Sequence, residues 1–293
     1  MDWPVSVALA QSVPELPTGT DWSYEVKLDG HRMIMWRTGD GVRLQARSGR
    51  DVTAVWGDLA LAGHHLPAGT VLDGEAVITT EDGRISFEAA QARAASSPAR
   101  ARRLAVQRPA HYIAFDALQL PSGDVRPRPY SERRAALLSL LAELPANTPI
   151  QVVSATTDRD TALTWHTTLH HEHGVEGIVA KRTTSPYRAG RTGGWQKIRH
   201  AETVDADVIG YTGPQTRPRT LAVRLANGRT ALTQTLSAPL AAQIAQVLVT
   251  ARPAEQGCAD TGETYTRVPS GLAVLEVLAG TTRHAVVTPL RLR

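Results

Sequence analysis

Apolar and polar residues alternate with a period of two along several short stretches of this 293-residue chain. In Tyr24-Glu25-Val26-Lys27-Leu28-Asp29 the apolar set Tyr24, Val26 and Leu28 predicts one face of a strand, with Glu25, Lys27 and Asp29 on the other. Asp29-Gly30 then reads as a turn and Met33-Ile34-Met35-Trp36 as the hairpin partner, because Asp-Gly between two strand-like runs is a strong hairpin signal. A third strand over Val42 to Ala46, closed by Ser48-Gly49-Arg50-Asp51, puts Arg47 at a strand end. Val71 to Ile78 sets Asp73 and Glu75 inside an apolar strand; a turn accounts for Asp73-Gly74, whereas Glu75 requires a partner. Tyr112 to Leu118 reads as a buried strand around Phe115, and Val175 to Arg182 as another carrying Glu176 and Lys181. Trp195-Gln196-Lys197-Ile198-Arg199 points Lys197 and Arg199 to one face.

A period nearer 3.6 appears in three places. Residues 87 to 108 predict helix, loop, helix, broken at Ser96-Ser97-Pro98. They carry Arg93, Arg100, Arg102, Arg103 and Arg108, either a solvated basic face or a contact with a nucleic-acid backbone. Glu132 to Leu144 predicts a packing helix and Thr161 to His173 a second one. The histidines that end the latter match no standard zinc ligand spacing and suit a Gly-terminated helix end. Beyond His200 come short alternating segments, a turn at Asn227-Gly228, a helix near Pro239 to Val249 and further strands to Leu290. Strands interrupted by one helix over about 90 residues predict a five-stranded OB barrel. The fold class is therefore α+β in two domains, residues 1–202 and 203–293.

Composition narrows the function. The net charge of +4 is carried almost wholly by arginine, and the isoelectric point is near 9.5, which fits a nucleic-acid partner. One cysteine, Cys258, rules out an internal disulfide, and no apolar run reaches the roughly 18 residues of a membrane span. The first residues lack a basic region followed by an apolar core, so the expectation is a cytoplasmic, nucleoid-associated protein with no membrane partner.

Only three of the 32 Lys+Arg are lysines: Lys27, Lys181 and Lys197. A retained amine can do what a guanidinium cannot, namely lose its proton and attack an electrophile. No G-x-x-x-x-G-K-[ST] and no G-x-G-x-x-G occurs, so neither a P-loop nor a Rossmann turn holds a nucleotide. Five elements do occur in a fixed order: Lys27-Leu28-Asp29-Gly30-His31-Arg32, Asp73-Gly74-Glu75, the Phe115 strand, Glu176 to Lys181, and Trp195 to Arg199. The set resembles the ordered motifs of covalent nucleotidyltransferases, and within them ATP-dependent DNA ligases of the bacterial ligase C and ligase D type.

The resemblance covers nearly the whole chain. It implies an ATP-grasp-like nucleotidyltransferase (adenylation) domain with antiparallel sheets and packing helices, an OB domain, and a reaction through lysyl-AMP and an adenylylated DNA 5′ end. By the same resemblance Lys27 is the nucleophile, while Lys197 and Arg199 neutralise the α-phosphate. Glu25 accepts from the adenine amino group, and Phe115 and Val179 sandwich the base. Arg32 holds ribose or the nick 5′-phosphate, Arg47 a phosphate, and Lys181 belongs to the nucleotide site. Asp29 orients the attacking 3′-hydroxyl. Glu75 and Glu176 bind ribose hydroxyls or a divalent ion, Mg2+ or Mn2+, whose hard character suits carboxylates and phosphates. The partner is nicked duplex DNA, the protein a monomer acting in repair, with a repair polymerase or end-binding protein as further partners.

Two positions depart from the family pattern. Arg199 stands where the family carries a second lysine. The family's OB domain closes on R-x-D-K, whereas this sequence ends Leu290-Arg291-Leu292-Arg293, with only Arg291 matching, so slow self-adenylylation is expected. An RNA ligase or a capping-type nucleotidyltransferase shares the lysine chemistry, and a non-catalytic nucleic-acid-binding remnant is the alternative from another class.

Overall fold

The computed structural model describes residues 1–199, 203–225, 228–251, 255–260, 262–278 and 287–293. The chain forms two compact units, Met1–His200 and Ala201–Arg293.

The first unit holds β1 (Gln11–Ser12), β2 (Trp22–Lys27), β3 (His31–Arg37), β4 (Val42–Ala46), α1 (Gly57–Ala62), β5 (Thr70–Ile78), α2 (Phe87–Ala94) and α3 (Pro98–Gln107). There follow β6 (Ala110–Leu120), β7 (Gly123–Asp124), α4 (Tyr130–Ala142), β8 (Ile150–Val152), β9 (Ala155–Thr156), α5 (Arg159–His173), β10 (Gly177–Arg182) and β11 (Trp195–Arg199). They build two sheets. One runs β1-β11-β10-β2-β9; the other runs β4-β3-β5-β6-β7, with β8 beside β6.

The predicted hairpin is absent, because β2 and β3 lie in different sheets. Residues 28–30 carry the chain from one sheet to the other. Gly30 is not in the left-handed conformation that an Asp-Gly hairpin turn needs. Its hydrogen is required for another reason: a Cβ there would overlap the Ala76 carbonyl oxygen. The turn expected at Asp73-Gly74 is absent as well, since both residues lie inside β5. Tyr112 passes beneath Gly74, its hydroxyl 3.0 Å from Met33 O and 2.9 Å from Leu72 O. A Cβ on Gly74 would stand 2.6 Å from Tyr112 Cζ and 2.7 Å from Ile113 O. Gly74→Ala should therefore cost roughly 1–3 kcal/mol, and a urea melt within a few tenths of a kcal/mol of wild type would contradict this.

Each sheet has a greasy outer face for the reason the sequence showed, a period of two. Met33, Met35, Leu44, Leu72, Ala76, Tyr112 and Ala114 form the largest core, into which Leu59 of α1, Ala90 of α2 and Leu137 of α4 pack. Tyr24, Ile178, Ala180 and Ile198 of the other sheet bury against Ala162 of α5 and Leu16. Of the basic set in residues 87 to 108, Arg93 is not solvated. It is 1% exposed, paired with Asp58 and stacked 4.7 Å from the Trp56 ring.

The second unit contains β12 (Thr203–Thr212), β13 (Thr220–Arg224), β14 (Thr230–Leu232), α6 (Ala238–Leu248), β15 (Gln256–Cys258), β16 (Thr264–Arg267), β17 (Val274–Leu278) and β18 (Thr288–Leu292). Its strands form one seven-stranded antiparallel sheet, two strands more than expected. The extra pair is the short hairpin β15–β16. A bulge between Val208 and Gly210 bends β12, so that residues 203–207 pair with β17 while Gly210 and Tyr211 pair with β16. The sheet thereby curls around Ile244 and Leu248 of α6 and Val208, Leu221 and Leu275. The predicted turn at Asn227 and the segment 279–286 lie outside the described residues.

Candidate active site

Strand register explains why the sequence elements carry polar residues two positions apart. Lys27, Gly177 and Arg199 lie level across β2, β10 and β11; Glu25, Val179 and Lys197 form the next row; Ser23, Lys181 and Trp195 the third. Level residues share a face and alternate residues return to it. Nine positions from three sequence elements thus share one face, six of them polar, backed by the apolar face that packs on α5. Phe115 comes to it from the other sheet. It is the bulged residue of β6, since Gly74 pairs with Ala114 and Asp73 with Asp116.

Lys27 pairs with Glu176, whose second carboxylate oxygen takes Arg199 Nε at 2.7 Å. Glu176 N donates to Lys27 O at 2.8 Å, so the acid is fixed to the strand that bears the amine. Lys197 is pushed down to about 8 by partial burial and by the neighbouring cations Arg199 and Lys27. Burial, then the like charge of Glu176, raises the Asp29 carboxyl above its ordinary range. Glu75 is pushed up to about 7 by burial, against the pull of Lys27 and Arg32 and a 3.2 Å hydrogen bond from Gly30 N.

The Glu75 shift has a stability consequence. A carboxyl that titrates near 7 when folded and 4.5 when unfolded binds more protons in the native state throughout that window, so stability falls as pH rises from about 4.5 to 7. Glu75→Gln should remove up to about 3 kcal/mol of that fall. Urea melts at pH 5 and 8 measure it, and equal pH dependence in both proteins would refute it.

Two residues expected at the nucleotide have most of their donors committed inside the protein. Arg32 binds Asp73 through Nε at 3.1 Å and Nη2 at 2.6 Å, and its Nη1 donates to Ala8 O at 2.7 Å. Asp73 also accepts from Tyr187 Oη at 2.6 Å. Lys181, 1% exposed, contacts Glu25 Oε2 and Phe115 O, each at 2.7 Å, and its ammonium lies 4.1 Å from the Trp195 ring centre. Arg47 is exposed in the turn after edge strand β4. Phe115 and Val179 are half-buried, and the Phe115 ring stands 6.1 Å from Trp195.

Sequence reading missed Tyr130, Arg133 and Arg134, which reach the site from α4. Tyr130 Oη donates to Glu25 Oε1, and Arg134 Nη1 lies 3.3 Å from the same oxygen. Arg133 makes a two-bond pair with Asp116 at 2.7 and 2.9 Å. The available signal was the set of acids Glu25, Asp73 and Asp116 in apolar strands, each of which demanded a cation from elsewhere.

The model of the ATP dependent DNA ligase domain matches residues 7–199. The chain belongs to the ATP-dependent DNA ligase family. The chain is 41% identical over 211 residues to DNA ligase C of Mycobacterium tuberculosis, an alignment that takes in 71% of this chain and 58% of the relative. It is 33% identical over 198 residues, 66% of its length, to the multifunctional non-homologous end joining DNA repair protein LigD of the same species, spanning 23% of that protein. The solved ligase domain of M. tuberculosis LigD covers 98% of the chain, and the chain 93% of it, at 25% identity and a TM-score of 0.56. A mycobacterial DNA ligase D complexed with ATP and MES gives 26% identity and a TM-score of 0.53, covering 97% of the chain and 95% of that structure. The fold of the chain is accordingly nucleotidyltransferase sheets followed by an OB-type barrel.

Among the described residues no three His, Cys, Asp or Glu side chains stand together as a metal-binding group. The carboxylates Glu75, Glu176 and Asp29 are hard oxygen donors that act electrostatically on one another in pairs, Asp29 with each of the other two. They fit an ion held by one or two carboxylates with phosphate and water supplying the rest, the usual manner for Mg2+.

Proposed function

We propose that this chain is an ATP-dependent DNA ligase that seals 3′-hydroxyl/5′-phosphate nicks in duplex DNA. The observation that carries the reading is the row of Lys27, Gly177 and Arg199 beside the row of Glu25, Val179 and Lys197. It sets a nucleophilic amine two residues from an acid able to read a base and next to two cations able to hold phosphate. In this reading residues 1–202 are the adenylation domain and 203–293 the OB domain.

Lys27 Nζ attacks the α-phosphorus of ATP, forming a P–N bond as pyrophosphate leaves. Lys197 and Arg199 neutralise the charge that grows on the α-phosphate oxygens. The 5′-phosphate of the nick then takes AMP from Lys27, and the 3′-hydroxyl, oriented by Asp29, displaces AMP to close the backbone. Glu25 accepts from the adenine amino group while Phe115 and Val179 enclose the ring. A divalent ion, Mg2+ or Mn2+, would be held by Glu75 and Glu176 and would add Lewis-acid charge at the phosphates. Arg32 and Lys181 serve through others: Arg32 locks Asp73, Ala8 and Tyr187 together, and Lys181 sets Glu25 and Phe115. Both oxygens of Glu25 already accept hydrogen bonds, so it stays an acceptor, the form that suits an amino group and not the guanine carbonyl.

Incubation with α-labelled ATP or GTP and a divalent ion tests this. An acid-labile protein adduct formed from ATP and discharged by nicked DNA is the expected result. An adduct from GTP alone, or none, would overturn it.

A further inference from the structure

Most arginines that the first unit buries or half-buries are partnered. Arg32, Arg93, Arg133 and Arg134 each face a carboxylate. Half-buried Arg126 and the exposed Arg182 and Arg199 do as well. Exposed arginines scattered elsewhere, Arg43, Arg50, Arg188 and Arg191, have no such partner among the described residues either, but helix α3 gathers them in one place. Arg100, Arg102 and Arg103 on it, and Arg108 at its end, are all exposed and have no side-chain hydrogen bond or ion pair among the described residues. The sequence withholds partners too, since no Asp or Glu occurs between Glu88 and Asp116. Four uncompensated guanidinium groups within nine residues repel one another, and that cost is met when a polyanion supplies the counter-charge.

The helix is built to stand where it does. Ser97 caps it, its hydroxyl accepting from Arg100 N, and Pro98 occupies the first turn, where a missing N–H costs nothing. Ala101 is its buried residue, so Arg100, Arg102 and Arg103 spread over the opposite half of the surface. α3 packs on α2, and α2 packs on β3 and β5 beside the site. Glu88, in the first turn of α2, is close enough to Asp29 to act on its charge. An eight-residue helix is about 12 Å long, or three to four base pairs of duplex.

We propose that α3 is a phosphate rail for the duplex on the 3′-hydroxyl side of the nick, gripping the backbone a few base pairs from the sealing point. The side assignment rests on the ligase reading, through Asp29. The grip itself does not. Each arginine that neutralises a phosphate releases counterions, so affinity through the rail is strongly salt-dependent and indifferent to base sequence.

The test is the triple variant Arg100→Ala/Arg102→Ala/Arg103→Ala in the full chain, with a nicked duplex as probe. Its Kd at about 150 mM salt should rise at least about tenfold, and the slope of log K against log salt should flatten by about 2 to 3. The corresponding triple lysine variant should keep most of the affinity, and thermal melts should stay close to wild type because these side chains are exposed and make no hydrogen bond or ion pair among the described residues. Shortening the duplex arm on the 3′-hydroxyl side to about four base pairs should weaken wild type and erase its advantage over the variant. An unchanged Kd and slope would overturn the rail, and loss of the advantage on shortening only the 5′-phosphate arm would overturn the side. Adduct formation with ATP, measured in parallel, should be equal in both proteins. Its absence from wild type would refute the ligase reading while leaving the binding comparison readable.

Discussion

Lys27→Arg is expected to lower formation of the nucleotide adduct by at least about 10^4-fold, the scale on which enzymes lose activity when a covalent nucleophile is removed. Arginine keeps the charge and can still pair with Glu176, so the fold and much of the local electrostatics should survive. What goes is the lone pair, since a guanidinium is not deprotonated in a protein. Lys197 is the amine that partial burial and neighbouring cations depress to about 8, and it lies in the row beside Lys27. It could in principle be labelled instead. Peptide mapping of the adduct therefore decides between them, and label on Lys197, or a wild-type yield from Lys27→Arg, would sink the assignment.

Arg133→Ala should be among the most destabilising single changes in the chain, at about 3–5 kcal/mol, because it strands a buried carboxylate. Arg133 and Asp116 are both fully buried. Besides the two bonds to Asp116, Arg133 Nη1 donates to Arg128 O at 2.6 Å and Ser185 O at 2.9 Å, so one side chain ties α4 to β6 and to the loop before Tyr187. With Arg133 gone, the nearest cation to Asp116 is Lys181 at 4.0 Å, which Glu25 already holds. Urea denaturation measures the loss; a change under about 1 kcal/mol would show that Lys181 takes over the pairing. Asp116→Asn should cost less, since it leaves one neutral acceptor in place.

The strands were legible because their alternation is an energetic requirement. One face of each had to be apolar, and the motif lysines and acids fell on the other by the same period. The sequence could not say which strands pair. Asp29-Gly30 carries the ordinary signature of a hairpin, and only the Ala76 carbonyl, far away in sequence, reveals that the glycine is there for clearance. Gly74 misled in the same way, its neighbour being the ring of Tyr112. Arg93 reads as one more basic residue until Asp58 and Trp56 are folded onto it. Tyr130, Arg133 and Arg134 were hidden because a helix residue that serves a distant acid leaves no periodic trace. In the second unit β15 and β16 span three and four residues, too short for alternation to stand out.

The crossing of the chain between the two sheets has a consequence for synthesis. Residues 28–152 form the second sheet as one continuous excursion, closed where Val153 N bonds Ala114 O at 2.9 Å and Val26 N bonds Ser154 O at 3.1 Å. Lys27 leaves the ribosome early, but Glu176 follows it 149 positions later. At bacterial-to-eukaryotic elongation rates of about 5 to 20 residues per second, that is a delay of about 7 to 30 s. The excursion can collapse on its own core during this interval, whereas β2 has neither β10 nor β11 beside it. On the proposed function, a nascent chain therefore carries Lys27 without Lys197 and Arg199 on the neighbouring strands, and it is expected to form no ATP adduct until the last strand of its first unit has been made.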